Sequence, residues 1–332
     1  MYRASFSIHD VSLNCYSNSL IIADAIRWFL DYFQCETFAR SDLEITLHAI
    51  ERREQRPPVL IQPDEMFFQH HGKTAGDALR EEWNCSLYRN GGRLIADFHE
   101  QGRLCIDHAR GRVEGDLIRP DAMHRDVCAT YFHFALSELL RREGLYTIHA
   151  TALERNGHGV LIPGSSGRGK TTCCISLLRG GYRYLSDDHP LIRENESGIE
   201  LLCFPEKIDV TDRTIEFFPE LKEAVGVLGW GIQKRYFYAQ EFYPNAIVDA
   251  CRPSLIIIPE IDNSARSRLV PLPKNRVLEE LLIQGLLVFD KEIAGRQFET
   301  FCRLVDGVDC YRLLFGGDVL ELPRVIDEVL GV

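Results

Sequence analysis

Val160-Leu161-Ile162-Pro163-Gly164-Ser165-Ser166-Gly167-Arg168-Gly169-Lys170-Thr171 is the run on which the architecture turns: an apolar segment gives way to glycines and closes on Lys-Thr. Gly164 through Thr171 match G-x-x-x-x-G-K-[ST], and the residues that follow, to Leu178, carry the apolar spacing of a helix. A strand feeding a glycine-rich turn that opens a helix is the setting in which this pattern cradles phosphate. Glycines permit backbone conformations that aim successive N–H groups at one anion, and the helix N-terminus adds a favourable dipole. On this reading Gly164, Ser165, Ser166, Gly167, Arg168 and Gly169 wrap the phosphates of a nucleotide. Lys170 neutralises the β- and γ-phosphates, Thr171 gives a hydroxyl to Mg2+, and Thr172 completes the nucleotide-binding set.

Working outward, Tyr182 to Ser186 is a short apolar strand that ends in Asp187-Asp188. The end of a strand beside a phosphate loop is where α/β folds place ligand-binding groups. Two adjacent carboxylates repel, so one can keep a raised pKa while the other holds metal or accepts a proton. An Asp pair also suits a solvated turn. Upstream, Tyr146 to Leu153 reads as a strand that hairpins through Asn156-Gly157 into the strand feeding the loop. It carries His149, which could face the γ-phosphate or serve as a buried structural imidazole. Strand, loop, helix, strand is the grammar of an α/β unit. Ser254 to Pro259 reads as a fully buried strand, and Val277–Phe289, Ala294–Leu304 and Leu322–Leu330 as helices.

The N-terminal part has a different character. Ser5 to Ile8, Leu20 to Phe33 and Leu43 to Leu47 read strand, helix, strand, and Cys85 to Ile118 reads as an antiparallel meander with turns at Asn90-Gly91-Gly92 and Gln101-Gly102. Arg52 to Gly76, with Pro57, Pro58 and Pro63, is expected to be a long connection, and Asp121 to Arg142 a long helix. A boundary between residues 120 and 145, on or before that helix, divides a smaller α+β domain, 1–125, from a nucleotide-type α/β domain, 126–332.

The 332 residues, 45% hydrophobic and 26% charged, suffice for two ordinary globular domains. Lys+Arg 38 against Asp+Glu 49 leaves a net charge of −11, which disfavours long-range attraction to nucleic acid or an anionic membrane. A phosphate ligand must therefore be captured locally. The longest mostly apolar stretch, Leu281 to Phe289, is far shorter than the roughly 20 residues that span a bilayer. With no apolar leader either, the expected location is cytoplasmic. The eleven cysteines contain no C-x-x-C spacing and read as reduced thiols acting as small hydrophobes.

Together, His149, the loop Gly164 to Thr171, the basic turn Arg179-Gly180-Gly181-Tyr182-Arg183 and Asp187-Asp188 resemble the catalytic domain of HPr kinase/phosphorylase over about Ile148 to Ile192. Cys310-Tyr311-Arg312-Leu313-Leu314-Phe315-Gly316-Gly317-Asp318 echoes the last strand and helix of that family. The resemblance implies a P-loop kinase domain of the HPr kinase and phosphoenolpyruvate carboxykinase type. It also implies ATP and Mg2+ as cofactors, with ATP/ADP exchanged at the loop. By the match Lys170 contacts phosphate, Thr171 stands where the family has a magnesium-binding serine, Asp188 is the proton acceptor for the substrate hydroxyl, and His149 is the active-site histidine. The family's later signature, a glutamate followed by Arg-Gly-Leu-Gly, has no counterpart here. The nearest region is Cys203 to Val210, where Glu206 is the substitute metal carboxylate or a structural acid.

The expectation is a kinase that transfers the γ-phosphoryl group to a hydroxyl, of serine type, on a small protein, peptide or small molecule other than HPr. Asp187 and Thr171 organise Mg2+, and His149, Lys170, Asp187 and Asp188 form the catalytic group. The alternatives are a P-loop ATPase or nucleotide-dependent switch, with Glu260 or Asp262 as its carboxylate, and a module that only binds nucleotide. Besides ATP and the acceptor, a second copy of this chain is an expected partner.

Overall fold

His9 and Asp10 both take positive φ, 45° and 73°, the backbone that a two-residue turn needs to match strand twist. The first strand, β1 (Tyr2–Ile8), therefore turns straight back into β2 (Val11–Ser17), a strand the sequence pattern does not reveal. The computed structural model describes residues 1–56, 66–72, 83–123, 125–229, 232–262 and 264–332. These divide into two compact units, Met1–Glu143 and Gly144–Val332.

In the first unit, helix α1 (Leu20–Phe29) leads from β2 to β3 (Leu43–Ile50), which lies parallel to β2. Then come β4 (Met66–Gly72), β5 (Trp83–Asn90), β6 (Arg93–Asp97), β7 (Gly102–Asp107) and β8 (Arg112–Ile118), and helix α2 (Arg125–Leu140). The expected meander is present as β5 to β8, each antiparallel to the next, and β8 closes on β3 in parallel. β4 pairs with β5, so the connection expected over 52–76 contains a strand; 57–65 and 73–76 fall outside the described residues.

The helix expected to open the second domain packs on α1 and on β3, β7 and β8 of the first unit. Tyr131, Phe132, Ala135, Leu136, Leu139 and Leu140 are buried there. At about 1.5–3 kcal/mol per large apolar side chain removed from water, that stripe ties α2 to the sheet it follows. The division consequently falls after α2 and not before it.

The second unit runs β9 (Tyr146–Thr147), β10 (Ala150–Arg155), β11 (His158–Pro163), α3 (Lys170–Arg179), β12 (Arg183–Ser186), β13 (Leu191–Asn195), β14 (Gly198–Leu202) and β15 (Ile208–Val210). It continues with α4 (Asp212–Phe217), β16 (Val225–Gly229), β17 (Ile232–Phe237), α5 (Ala239–Phe242), β18 (Ala250–Ile261) and β19 (Arg268–Pro271). Last come α6 (Lys274–Gly285), α7 (Lys291–Asp306), β20 (Asp309–Phe315) and α8 (Leu322–Leu330). It is a mixed α/β architecture. Among the described residues its large sheet is ordered β12-β10-β11-β18-β14-β13-β9, with β20 on β18 and β19 on β20.

Asn156 and Gly157, with φ of 51° and 89°, form the expected two-residue turn between β10 and β11. β10 is antiparallel to both β11 and β12. β11 and β12 therefore run the same way with β10 between them, and α3 is the crossover. β18 is parallel to β11 and β20, and Leu255, Ile256 and Ile257 are fully buried in it, as a central strand demands. α3 lies against β10 and α8, with Cys173, Cys174, Leu177 and Leu178 in the core.

All eleven cysteines are free thiols, and burial raises those of Cys173 and Cys174 well above the ordinary thiol range. Phe237, from the aromatic run 236–238, is core, in a small sheet ordered β15-β17-β16. Among the described residues no helix is long and apolar enough to cross a membrane.

Candidate active site

The loop between β11 and α3 departs from Gly164 beside Pro259 of β18 and leaves Ser165, Ser166, Gly167 and Arg168 exposed. Gly167 and Gly169 have φ of 84° and 93°. A Cβ on Gly169 would also stand 3.0 Å from the Phe315 ring, so that position needs glycine for conformation and for space. Gly169 caps α3, which places Lys170 on its first turn, only 6% exposed. Thr171 and Thr172 follow, half-buried. From α6, Gln284 Nε2 donates to Ser165 Oγ at 3.2 Å, and Glu280 meets Arg168 at 3.5 Å.

The two acids at the end of β12 part company at once. Asp187 turns inward: Oδ1 accepts from Thr151 Oγ1 at 2.6 Å and Oδ2 from Thr171 Oγ1 at 2.8 Å. Burial, then the neighbouring Asp188 charge, push its carboxyl above the usual range against the pull of Thr151, Thr171 and Lys170. Asp188 turns outward with 52% of its side chain exposed. Withdrawal from water acts against its charge. The hydrogen bond from His149 and the charges of His189, His149 and Lys170 overcome that and hold it below the usual range. The opposed environments give two carboxylates two characters.

His149 lies in a break. The run expected as one strand from Tyr146 to Leu153 is two, because β9 pairs with β13 while β10 pairs with β11 and β12. Between them the His149 amide donates to the Gln284 carbonyl at 3.1 Å. Its ring reaches three groups: Nε2 is 3.0 Å from Lys170 Nζ and 3.3 Å from Asp188 Oδ1, and Nδ1 is 3.1 Å from Gln284 Oε1.

Behind Asp188, His189 Nδ1 meets Glu206 Oε1 at 2.8 Å. The chain leaves through the β13–β14 hairpin and returns along β12, where Phe204 N donates to Leu185 O and Tyr184 Oη donates to the Glu206 carbonyl. Burial alone would depress the His189 pKa, but the charge and hydrogen bond of Glu206, with Asp188, raise it overall. A raised folded-state value means that the pair's stabilisation is complete below about pH 6.5, the ordinary histidine value, and is lost as pH rises through the raised one. The difference in unfolding free energy between the wild type and His189→Gln should therefore be largest in acid, about 1.5–3 kcal/mol for a charge-assisted bond, and shrink towards pH 9. Urea unfolding across that range measures it, and a pH-independent difference would remove the assignment.

The structure thus brings together His149, Lys170, Thr171, Asp187 and Asp188 around the glycine loop, and joins Glu206 to them through His189. Sequence reasoning missed Thr151, His189, Glu280 and Gln284. In the single strand that the sequence suggests from Tyr146 to Leu153, Thr151 falls on the face of His149 by period two, and His189 directly follows the acids; nothing local points to Glu280 or Gln284. The basic turn has structural partners: Arg183 Nε donates to Glu154 at 2.5 Å, and Arg155 donates to the Gly180 carbonyl at 2.6 Å.

Comparison with known proteins adds three findings. A family model described as SynChlorMet cassette protein ScmC matches residues 123–229, a span that takes in every residue of the site except those on α6. HPr kinase/phosphorylase from Geobacillus sp. (strain WCH70) is 36% identical over 62 residues, 19% of this chain and 20% of that protein. The match thus spans one fifth of that relative's length. Among solved structures, the Hpr(Ser) kinase/phosphatase from Coxiella burnetii aligns over 56% of this chain and 93% of that chain, at 16% identity and a TM-score of 0.28. As the motif set predicts, a stretch of 62 residues of this chain is similar to HPr kinase/phosphorylase, the mark of a divergent relative.

Proposed function

We propose that this chain is an ATP-dependent kinase that transfers the γ-phosphoryl group to a hydroxyl, of serine type, on a small protein, peptide or small molecule other than HPr. The supporting observation is the meeting of Lys170, His149 and Asp188 at the mouth of the glycine loop, with Thr171, the residue after Lys170, bonded to Asp187. Loop amides and Lys170 would hold the phosphates at the start of α3.

A hydroxyl and a carboxylate in contact fit Mg2+, which takes most of its ligands from phosphate and water. Glu206 Oε2, buried and without a hydrogen-bond partner among the described residues, is a further oxygen of the right chemistry. Thr171, Asp187 and Glu206 would hold the ion, which when bound neutralises charge developing on the phosphates. Asp188, ionised and open to solvent, accepts the hydrogen bond of the acceptor alcohol and takes its proton as the alcohol oxygen bonds to the γ-phosphorus and the bond from that phosphorus to the β–γ bridging oxygen breaks, releasing ADP. Phosphoryl transfer has a loose transition state, so a weakly basic carboxylate suffices as the proton acceptor.

The hydrolase alternative needs Glu260 or Asp262 at the end of β18; Glu260 pairs with Arg312 at 3.2 Å on the surface, and Asp262 follows the last residue of the strand, its amide donating to the Phe315 carbonyl at 2.9 Å. Incubation with γ-labelled ATP, Mg2+ and serine-containing peptides tests the choice: label on a peptide hydroxyl is expected. Release of free phosphate at one rate, with or without acceptor, would overturn the kinase reading.

A further inference from the structure

Gln284 is 135 residues from His149 in sequence, yet its side-chain oxygen stands 3.1 Å from Nδ1 of that ring. Glu280, one turn earlier on α6, supplies the reason. One of its oxygens stands 3.0 Å from Gln284 Nε2 and the other 3.5 Å from the Arg168 guanidinium. An ionised carboxylate only accepts hydrogen bonds. The amide must therefore point its NH2 at Glu280, where the second N–H reaches Ser165 Oγ at 3.2 Å, and its carbonyl oxygen at His149. The flipped amide would set two oxygens against each other and leave the imidazole facing an N–H. With Oε1 at 3.1 Å, Nδ1 has to be the protonated nitrogen.

We infer that Gln284 is a positioning residue that fixes His149 as the Nδ1–H tautomer, so that Nε2, lying between Lys170 and Asp188, is the nitrogen left to gain or lose a proton. In the neutral ring Nε2 accepts from the Lys170 ammonium; in the protonated ring it donates to Asp188. The same amide holds Ser165, so the glycine loop and the tautomer share one support. The inference deepens the kinase reading and rests on it for its catalytic purpose, but its measurement needs no turnover.

The test is two-bond proton–nitrogen NMR of 15N-histidine-labelled protein at a pH where the ring is neutral, with His149 assigned from the signals lost in His149→Gln. The wild type should show a protonated Nδ1 and a bare Nε2, the reverse of the form that free imidazole side chains prefer. Gln284→Leu, which removes the acceptor, should move the ring to Nε2–H or to a mixture. The paired exchange Gln284→Glu with Glu280→Gln, which keeps an oxygen at Nδ1 and a donor facing it across the helix turn, should retain the original tautomer.

In a labelled-ATP assay Gln284→Leu should lose about 10- to 100-fold in turnover, the range known for partners that orient metal-bound histidines, and the paired exchange Gln284→Glu with Glu280→Gln should recover most of it. An Nε2–H ring in the wild type, which is readable even if the leucine variant fails to fold, overturns the inference, and so does an unchanged tautomer in Gln284→Leu. A wild type with the expected tautomer but no transfer to any hydroxyl upholds the tautomer and overturns the kinase reading instead.

Discussion

Asp188→Asn should lower the rate of phosphoryl transfer about 10²- to 10⁴-fold, the usual worth of a general base, while leaving affinity for an ATP analogue within a few-fold of wild type. The split follows from where the carboxylate stands. Half of its side chain is open to solvent and one oxygen lies 3.3 Å from His149, and a carboxylate is no ligand for phosphate, so the phosphates lose no ligand when the charge goes. An amide is isosteric and still hydrogen-bonds the alcohol, but it takes no proton. The fold should tolerate the change, since half the side chain is exposed and removal of one acid relieves repulsion on Asp187. Single-turnover transfer from ATP beside analogue binding measures both quantities. A variant that transfers within three-fold of wild type would mean that Asp188 is not the proton acceptor.

Lys170→Ala should show the opposite pattern, with the loss in binding. A charge-assisted contact to phosphate is worth about 1.5–3 kcal/mol, or about 10- to 150-fold in dissociation constant, and turnover should fall with it. Lys170 is 6% exposed and faces His149, and its charge helps keep Asp187 and Asp188 ionised. Without it both carboxyls should titrate higher, so whatever transfer is left should fade at a higher pH than in wild type. Calorimetric titration with the analogue reads the first effect and a pH series of turnover the second. Unchanged affinity would place the nucleotide elsewhere.

These expectations began in residues that announce themselves. Gly164 to Thr171 were legible because an apolar strand, permissive backbone and a helix start coincide within about twenty residues. Asp187-Asp188 were legible because a short strand ends on them. The Asn156-Gly157 turn was legible because both residues favour the backbone it needs. What escaped was set by long-range pairing. Tyr146 to Leu153 read as one strand because its apolar run has no break in pattern, whereas the break at His149 comes from β9 and β10 choosing different partners. β2 went unread because its burial does not alternate. Glu206 is a candidate metal acid from its place in the sequence, but its link to His189 depends on a hairpin that leaves and returns. Gln284 and Glu280 sit on α6 at i and i+4, ordinary spacing for any surface helix, and only the tertiary fold carries them to the loop.

The proposed kinase requires that the loop from Gly164 wrap a nucleoside triphosphate whose terminal phosphorus lies within reach of an alcohol held by Asp188. A crystal structure of the chain with a non-hydrolysable ATP analogue and Mg2+ tests it most directly. The expected result is density for the triphosphate along the loop amides, with Lys170 on its end, Mg2+ at Thr171 and Asp187, and the Asp188 carboxylate facing the terminal group across the width of one hydroxyl. An analogue bound away from the loop, or an Asp188 turned from the terminal phosphate with the nucleotide in place, would contradict it.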